Sequence, residues 1–215
     1  MLRTARVLAA GACLGLATPV VASAQPPPRE PLPLYTLDVR GAFPLLGQSV
    51  DSAASLGVAP AQLPGRGLGV SAGLHVYPIR LKGWAIGVGG EWLRGRARQD
   101  TLPVAPATTG VTIARRLDSL SAHLSLNFGH RDGWSYLSGG LGPLAFDTWD
   151  DAGEPDGVRA TTLNYGGGGR WFTTPHLAFT FDVRFYATRP SEPTTIVAAR
   201  AKQTVMVISV GISVR

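Results

Sequence analysis

Apolar and polar residues alternate most strictly between Leu177 and Tyr186. Leu177, Phe179, Phe181, Val183 and Phe185 share one parity, and Ala178, Thr180, Asp182, Arg184 and Tyr186 the other. A period of two predicts a strand with one apolar and one polar face. Ten residues is also the length with which a tilted strand crosses a hydrocarbon layer, roughly 9 to 11 residues. The pattern recurs. In Leu34–Phe43, Tyr35, Leu37, Val39 and Phe43 oppose Thr36, Asp38, Arg40 and Ala42. Further strands are predicted over Leu68–Pro78, Trp84–Arg96, Arg116–Gly129, Trp134–Phe146, Thr162–Phe172 and Thr204–Arg215. The stretch Trp134–Phe146 is rich in glycine, and its faces cannot be assigned from the pattern.

The connections between these eight strands alternate in length. Long ones run over Pro44–Gly67, Ala97–Arg115, Asp147–Thr161 and Ala187–Gln203, and short ones lie around Arg80–Gly83, His130–Gly133 and Thr173–His176. In an antiparallel meander all the short turns then fall at one end, together with both chain ends. Outer-membrane barrels have this asymmetry, with brief periplasmic turns and extended outer loops. The predicted fold is therefore all-β, an eight-stranded antiparallel up-and-down transmembrane β-barrel in the outer membrane. Trp84, Trp134, Trp171 and Phe172 beside the short turns, with Tyr35 at the same end, are expected to form an interfacial aromatic girdle.

Composition agrees with a turn-rich sheet protein. The chain has 215 residues, 27 of them Gly and 17 Pro, which suits one all-β domain rather than a helical bundle. At the start, Arg3 and Arg6 precede an apolar run from Val7 to Val21, and Ala22-Ser23-Ala24 supplies a small-x-small cleavage site, so residues 1–24 read as a secretory signal peptide. Cleavage there removes Cys13, the one cysteine, and excludes disulfide and thiol chemistry from the mature chain. Residues 25–33 carry five prolines and are expected to be an extended tether; residues 34–215 form the barrel. The remaining 18 basic against 14 acidic residues give no basis for nucleic-acid binding. No stretch after residue 24 is apolar for long enough to be a membrane-spanning helix.

The run Tyr165-Gly-Gly-Gly-Gly-Arg-Trp171-Phe172, followed by His176-Leu-Ala-Phe-Thr-Phe-Asp-Val-Arg-Phe-Tyr186, resembles the glycine-rich strand, turn and Asp-x-Arg strand of small outer-membrane β-barrel domains related to the transmembrane domain of outer-membrane protein A. The resemblance covers most of the mature chain and implies architecture more than biochemical role. It implies outer-membrane lipid, lipopolysaccharide and the barrel assembly machinery as partners. The last strand departs from the family's aromatic ending, since it closes Ser213-Val214-Arg215.

An eight-stranded barrel has an interior just wide enough to be filled by side chains. By parity it should hold Asp38, Arg40, Glu91, Arg170, Asp182 and Arg184, with His75 and His123. Buried charges of this kind demand partners, so a lumen charge network that plugs the barrel is expected. Three other groups of residues bear on chemistry. His123 and Ser125 resemble the His-x-Ser of a lipid A deacylase barrel, but parity turns both into the lumen and no orienting acid is at hand. Asp147, Asp150, Asp151, Glu154 and Asp156 lack the spacing of a calcium loop and read as a solvated loop. Arg94, Arg96, Arg98, Arg115 and Arg116 cluster at the long-loop end, where guanidinium groups could contact lipopolysaccharide phosphates.

No catalytic residue, metal or cofactor is expected, and the chain is read as a monomer. The function expected is a structural or surface-interaction role carried by the outer loops. The alternatives are a narrow channel for small or hydrophobic molecules, a lipid A-modifying enzyme and a soluble periplasmic binding barrel.

Overall fold

In the computed structural model, residues 31–101, 110–151, 156–187 and 204–215 are described. The proposed signal peptide, most of the tether and most of the fourth long connection lie outside them. Strands β1 (Tyr35–Leu45), β2 (Leu68–Leu81), β3 (Trp84–Asp100), β4 (Thr112–His130), β5 (Gly133–Trp149), β6 (Asp156–Phe172), β7 (Leu177–Ala187) and β8 (Thr204–Val214) follow in order. Each pairs antiparallel with the next, and β8 pairs with β1, which closes the barrel. Closure removes the open sheet edge wherever all eight strands run side by side.

The alternation sets which way each side chain looks. Phe181 is 37% exposed on the outside and its neighbour Asp182 is 1% exposed on the inside. Leu37 and Val39 on β1, Leu74 on β2, Val88 and Trp92 on β3, Leu120 and Leu124 on β4, Leu137 and Leu141 on β5, and Phe179 on β7 continue an exposed apolar belt around the wall. The interior at the same height is polar.

Two connections are shorter than their sequence suggests. Strands β3 to β6 run for 17 to 19 residues, whereas β1, β7 and β8 have 11. The extra residues lift the β3–β4 and β5–β6 hairpins above the belt by roughly 20 Å of strand. Ala97–Asp100 and Thr112–Arg115 of the first expected loop, and Asp147–Trp149 and Asp156–Thr161 of the second, are thus strand, with Arg98 opposite Ala114 and Ala145 opposite Arg159. Alternation was hard to see there because its polarity inverts. Along β3, Glu91 looks in and Trp92 out, but one step on Leu93 is buried inside while the Arg94 side chain is 48% exposed outside. On β4, Leu120 faces out over Ser119, whereas Leu117 faces in between Arg116 and Asp118.

The first connection also has structure. Helix α1 (Val50–Ser55) is N-capped by Ser49, whose hydroxyl accepts the Ser52 N–H at 3.2 Å, and a 3-10 turn follows at Pro60–Gln62. Such a cap satisfies one of the helix's orphan donors. Leu63 and Ala53 pack on Ile113 of β4, which folds this connection over the barrel's long-loop end.

The interior forms three layers. At the long-loop end Ala42, Leu46, Leu93, Leu117, Leu144, Phe146, Tyr186 and Val207 make an apolar cluster. At the turn end Leu32, Tyr77, Ala85 and Trp134, with Phe172, make another. Trp134 and Phe172, expected in the outer girdle, are therefore interior; their rings stack at 5.2 Å. Trp84, Trp171 and Tyr35 do face outward. Leu32, from the Pro-rich stretch expected to be a free tether, is 1% exposed. Its carbonyl accepts from Arg80 at 3.3 Å, and Tyr77 N–H donates to Leu34 O at 2.8 Å.

Candidate functional site: a buried charge layer and an outer arginine face

Between the two apolar clusters lie three carboxylates and three guanidinium groups, counted among the described residues. Asp38 accepts from Arg170 Nε at 2.9 Å and Nη2 at 2.5 Å, a bidentate pair, and from the Ser213 hydroxyl. Glu91 pairs with Arg40, accepts from the Tyr186 hydroxyl at 3.2 Å, and lies 3.6 Å from Arg184 Nε. Asp182 accepts from Tyr136 at 2.8 Å and from Arg184 at 3.2 Å, with Arg40 at 3.8 Å. Arg184 also donates to Asn164 at 3.0 Å and Ser138 at 2.8 Å. All six charged side chains are no more than 4% exposed.

Desolvating six charges costs several kcal/mol each, and attraction inside offsets this only when hydrogen bonds satisfy the remaining lone pairs and protons. Tyr136 supplies the link. Its hydroxyl accepts from Arg40 at 3.1 Å while donating to Asp182, and Arg170 lies over its ring at 4.4 Å. Gly168 gives that ring its place: a Cβ there would lie 2.8 Å from the Tyr136 hydroxyl and 2.1 Å from Phe181 O. Sequence reasoning found the six charges but missed Tyr136, Tyr186, Asn164 and Ser138. Tyr136 and Ser138 sit on the glycine-rich strand whose faces the pattern left open. Tyr186 fell on the polar parity of β7 and could have been found there.

The two interior imidazoles approach one another, with ring centroids 5.9 Å apart. His75 Nδ1 is 3.6 Å from Asp38, and His123 Nε2 is 2.8 Å from the Ser121 hydroxyl. Ser125 is not its partner: that hydroxyl lies 3.4 Å from Gly87 O and accepts from Asn127 at 3.0 Å. The His123–Ser125 nucleophile arrangement is therefore not assembled.

Four of the five arginines expected together do meet, on the outer wall. Arg94 Nε is 2.6 Å from Asp118, Arg116 reaches Asp118 at 3.2 Å and Asp147 at 2.6 Å, and Arg96 stands directly across from Arg116. Arg98 is exposed one step higher. Arg115 has the opposite parity and is buried inside, so it does not join them. The acidic stretch is divided as well. Asp147 belongs to this outer ladder, Asp151 accepts from Thr112 N–H at 3.0 Å, and Glu154 lies outside the described residues.

No protein-family model matches the chain, and no curated protein matches its sequence. Solved structures do match in fold. Ail, the attachment invasion locus protein of Yersinia pestis, in complex with the heparin analogue sucrose octasulfate, aligns at 14% identity over 84% of this chain and 96% of its own, with a TM-score of 0.50. Neisserial surface protein A aligns at 13% identity over 85% and 97%, also with a TM-score of 0.50. The chain has the fold of these small eight-stranded outer-membrane β-barrels.

Proposed function

We propose that the protein is a non-conducting outer-membrane barrel that serves a structural or surface-interaction role, delivered there by a signal peptide and inserted by the barrel assembly machinery. The motif shared with outer-membrane protein A-like domains fits this reading. The observation that carries it is the layered interior at the height of the apolar belt: a charge network closed off by apolar side chains at both ends. The polarity inversion between Trp92 and Arg94 is what a wall leaving hydrocarbon for water requires, because lipid-facing and water-facing positions then demand opposite residues. The long-loop end is the outer one.

Above the belt, Arg94, Arg96, Arg98 and Arg116 stand where lipopolysaccharide phosphates reach the wall. Guanidinium forks suit such groups. The sulfated ligand in the Ail complex is a polyanion of related chemistry. Planar-bilayer recording tests the reading. The refolded protein should raise no reproducible conductance steps at voltages where a porin opens; discrete, reproducible steps would replace it with a channel.

A further inference from the structure

Arg115 is unlike the other interior arginines. Arg40, Arg170 and Arg184 each face a carboxylate, and their charges balance those of Asp38, Glu91 and Asp182. Arg115 is 0% exposed, and among the described residues it has no acidic partner. Its Nη1 donates to Gly47 O at 2.8 Å and Pro64 O at 3.2 Å, both in the first outer connection, and its guanidinium lies over the Phe146 ring at 4.6 Å. Its Nε and Nη2 are buried without an acceptor among the described residues. These two atoms form the edge by which Arg170 grips Asp38.

A guanidinium stays charged in a protein, and a buried, uncompensated charge is costly. Carbonyl dipoles and a ring face offset part of that cost. They leave a planar two-donor fork whose natural complement is a pair of oxygens on one atom. We propose that Arg115 is the seat of an oxyanion site beneath the first outer connection, taking a small carboxylate or a phosphate-class ion bidentately through Nε–H and Nη2–H. The same guanidinium holds Gly47 and Pro64, so the bound ion fastens this connection onto β4. The site faces inward and is independent of the outer arginine ladder.

The test is thermal unfolding of the full refolded barrel in detergent, titrated with inorganic phosphate and, separately, acetate, against chloride at matched ionic strength. Phosphate also stabilises proteins generally by exclusion from their surface, an effect that grows without saturating. Saturation at low concentration is therefore the signature. The wild type and an R96Q/R98Q variant should both show a saturable rise of about 5 °C. R115M should show none, and R115K, which keeps the charge but loses the fork, should show a smaller one. Should R115M fail to refold, R115K against the wild type carries the comparison. Tryptic cleavage after Arg66, read by mass spectrometry, should slow with phosphate in the wild type and slow less in R115K. A rise that never saturates, that chloride matches, or that R115M retains would overturn the site. Loss in R96Q/R98Q alone would assign the ion to the outer wall instead.

Discussion

At the scale of single residues, the interior depends on pairing. Asp38 answers Arg170, Ser213 and His75, and all four are buried. Removing one partner leaves the other charged and buried, which typically costs about 3–5 kcal/mol, whereas replacing both by apolar groups of similar size is often neutral or stabilising. Asp38→Ala should therefore lower the urea midpoint of the barrel refolded into lipid vesicles by that order of stability. The double replacement D38L/R170M should recover most of the loss. Equal losses in the single and double variants would mean that the bidentate pair contributes nothing specific. The six charges were legible in the sequence because each falls on the parity opposite its strand's large apolar residues. Their tyrosine bridge was harder to see: on β5 large apolar side chains fall on both faces, Trp134, Tyr136 and Leu144 on one and Leu137 and Leu141 on the other, so no face stands out as polar.

At the scale of strands, one rule governs the belt and its inverse governs the stretch above it. Within the belt the large outward side chains are apolar or aromatic, and above it β3 turns Arg94, Arg96, Arg98 and Asp100 outward and β4 Arg116 and Asp118. All eight strands could be located in the sequence, although period two assigned no faces to Trp134–Phe146. Their upper limits could not, because a segment that swaps its polar face looks aperiodic when read against one fixed parity. Arg115 was misplaced beside Arg116 for the same reason, since adjacent residues in a strand look in opposite directions. Helix α1 gave no signal because six residues are too few to display helical periodicity. Arg96 and Arg98 carry no ion pair among the described residues, so they are the members of the ladder able to engage an external anion without breaking a contact. Arg96→Gln combined with Arg98→Gln should weaken binding of the barrel to purified lipopolysaccharide by about tenfold, the equivalent of one charge-assisted hydrogen bond. The difference should shrink as salt rises. Unchanged affinity across the salt series would remove these two residues from the contact.

At the scale of the whole molecule, the proposed non-conducting barrel depends on what covers its two ends. The first outer connection folds over one end. Leu32 closes the other, with the last residue, Arg215, lying 3.8 Å over the Phe172 ring and donating to Pro175 O at 2.7 Å. Nothing in the strand periodicity foretold the seals at either end, since each depends on side chains from segments without regular alternation. The central claim is that this wall is turned inside out relative to a soluble barrel within the belt and reverts above it. The chain's one cysteine, Cys13, precedes the proposed cleavage site, so single cysteines can be placed at will in the mature protein.

Nitroxide labels at Leu124→Cys, Phe181→Cys and Arg96→Cys, in protein refolded into lipid vesicles, can be read by their relaxation with oxygen, which concentrates in hydrocarbon, and with a water-soluble nickel chelate. The account predicts oxygen-dominated relaxation at positions 124 and 181 and nickel-dominated relaxation at position 96. Nickel-dominated relaxation at 124 and 181, or shielding of both from either reagent, would contradict it.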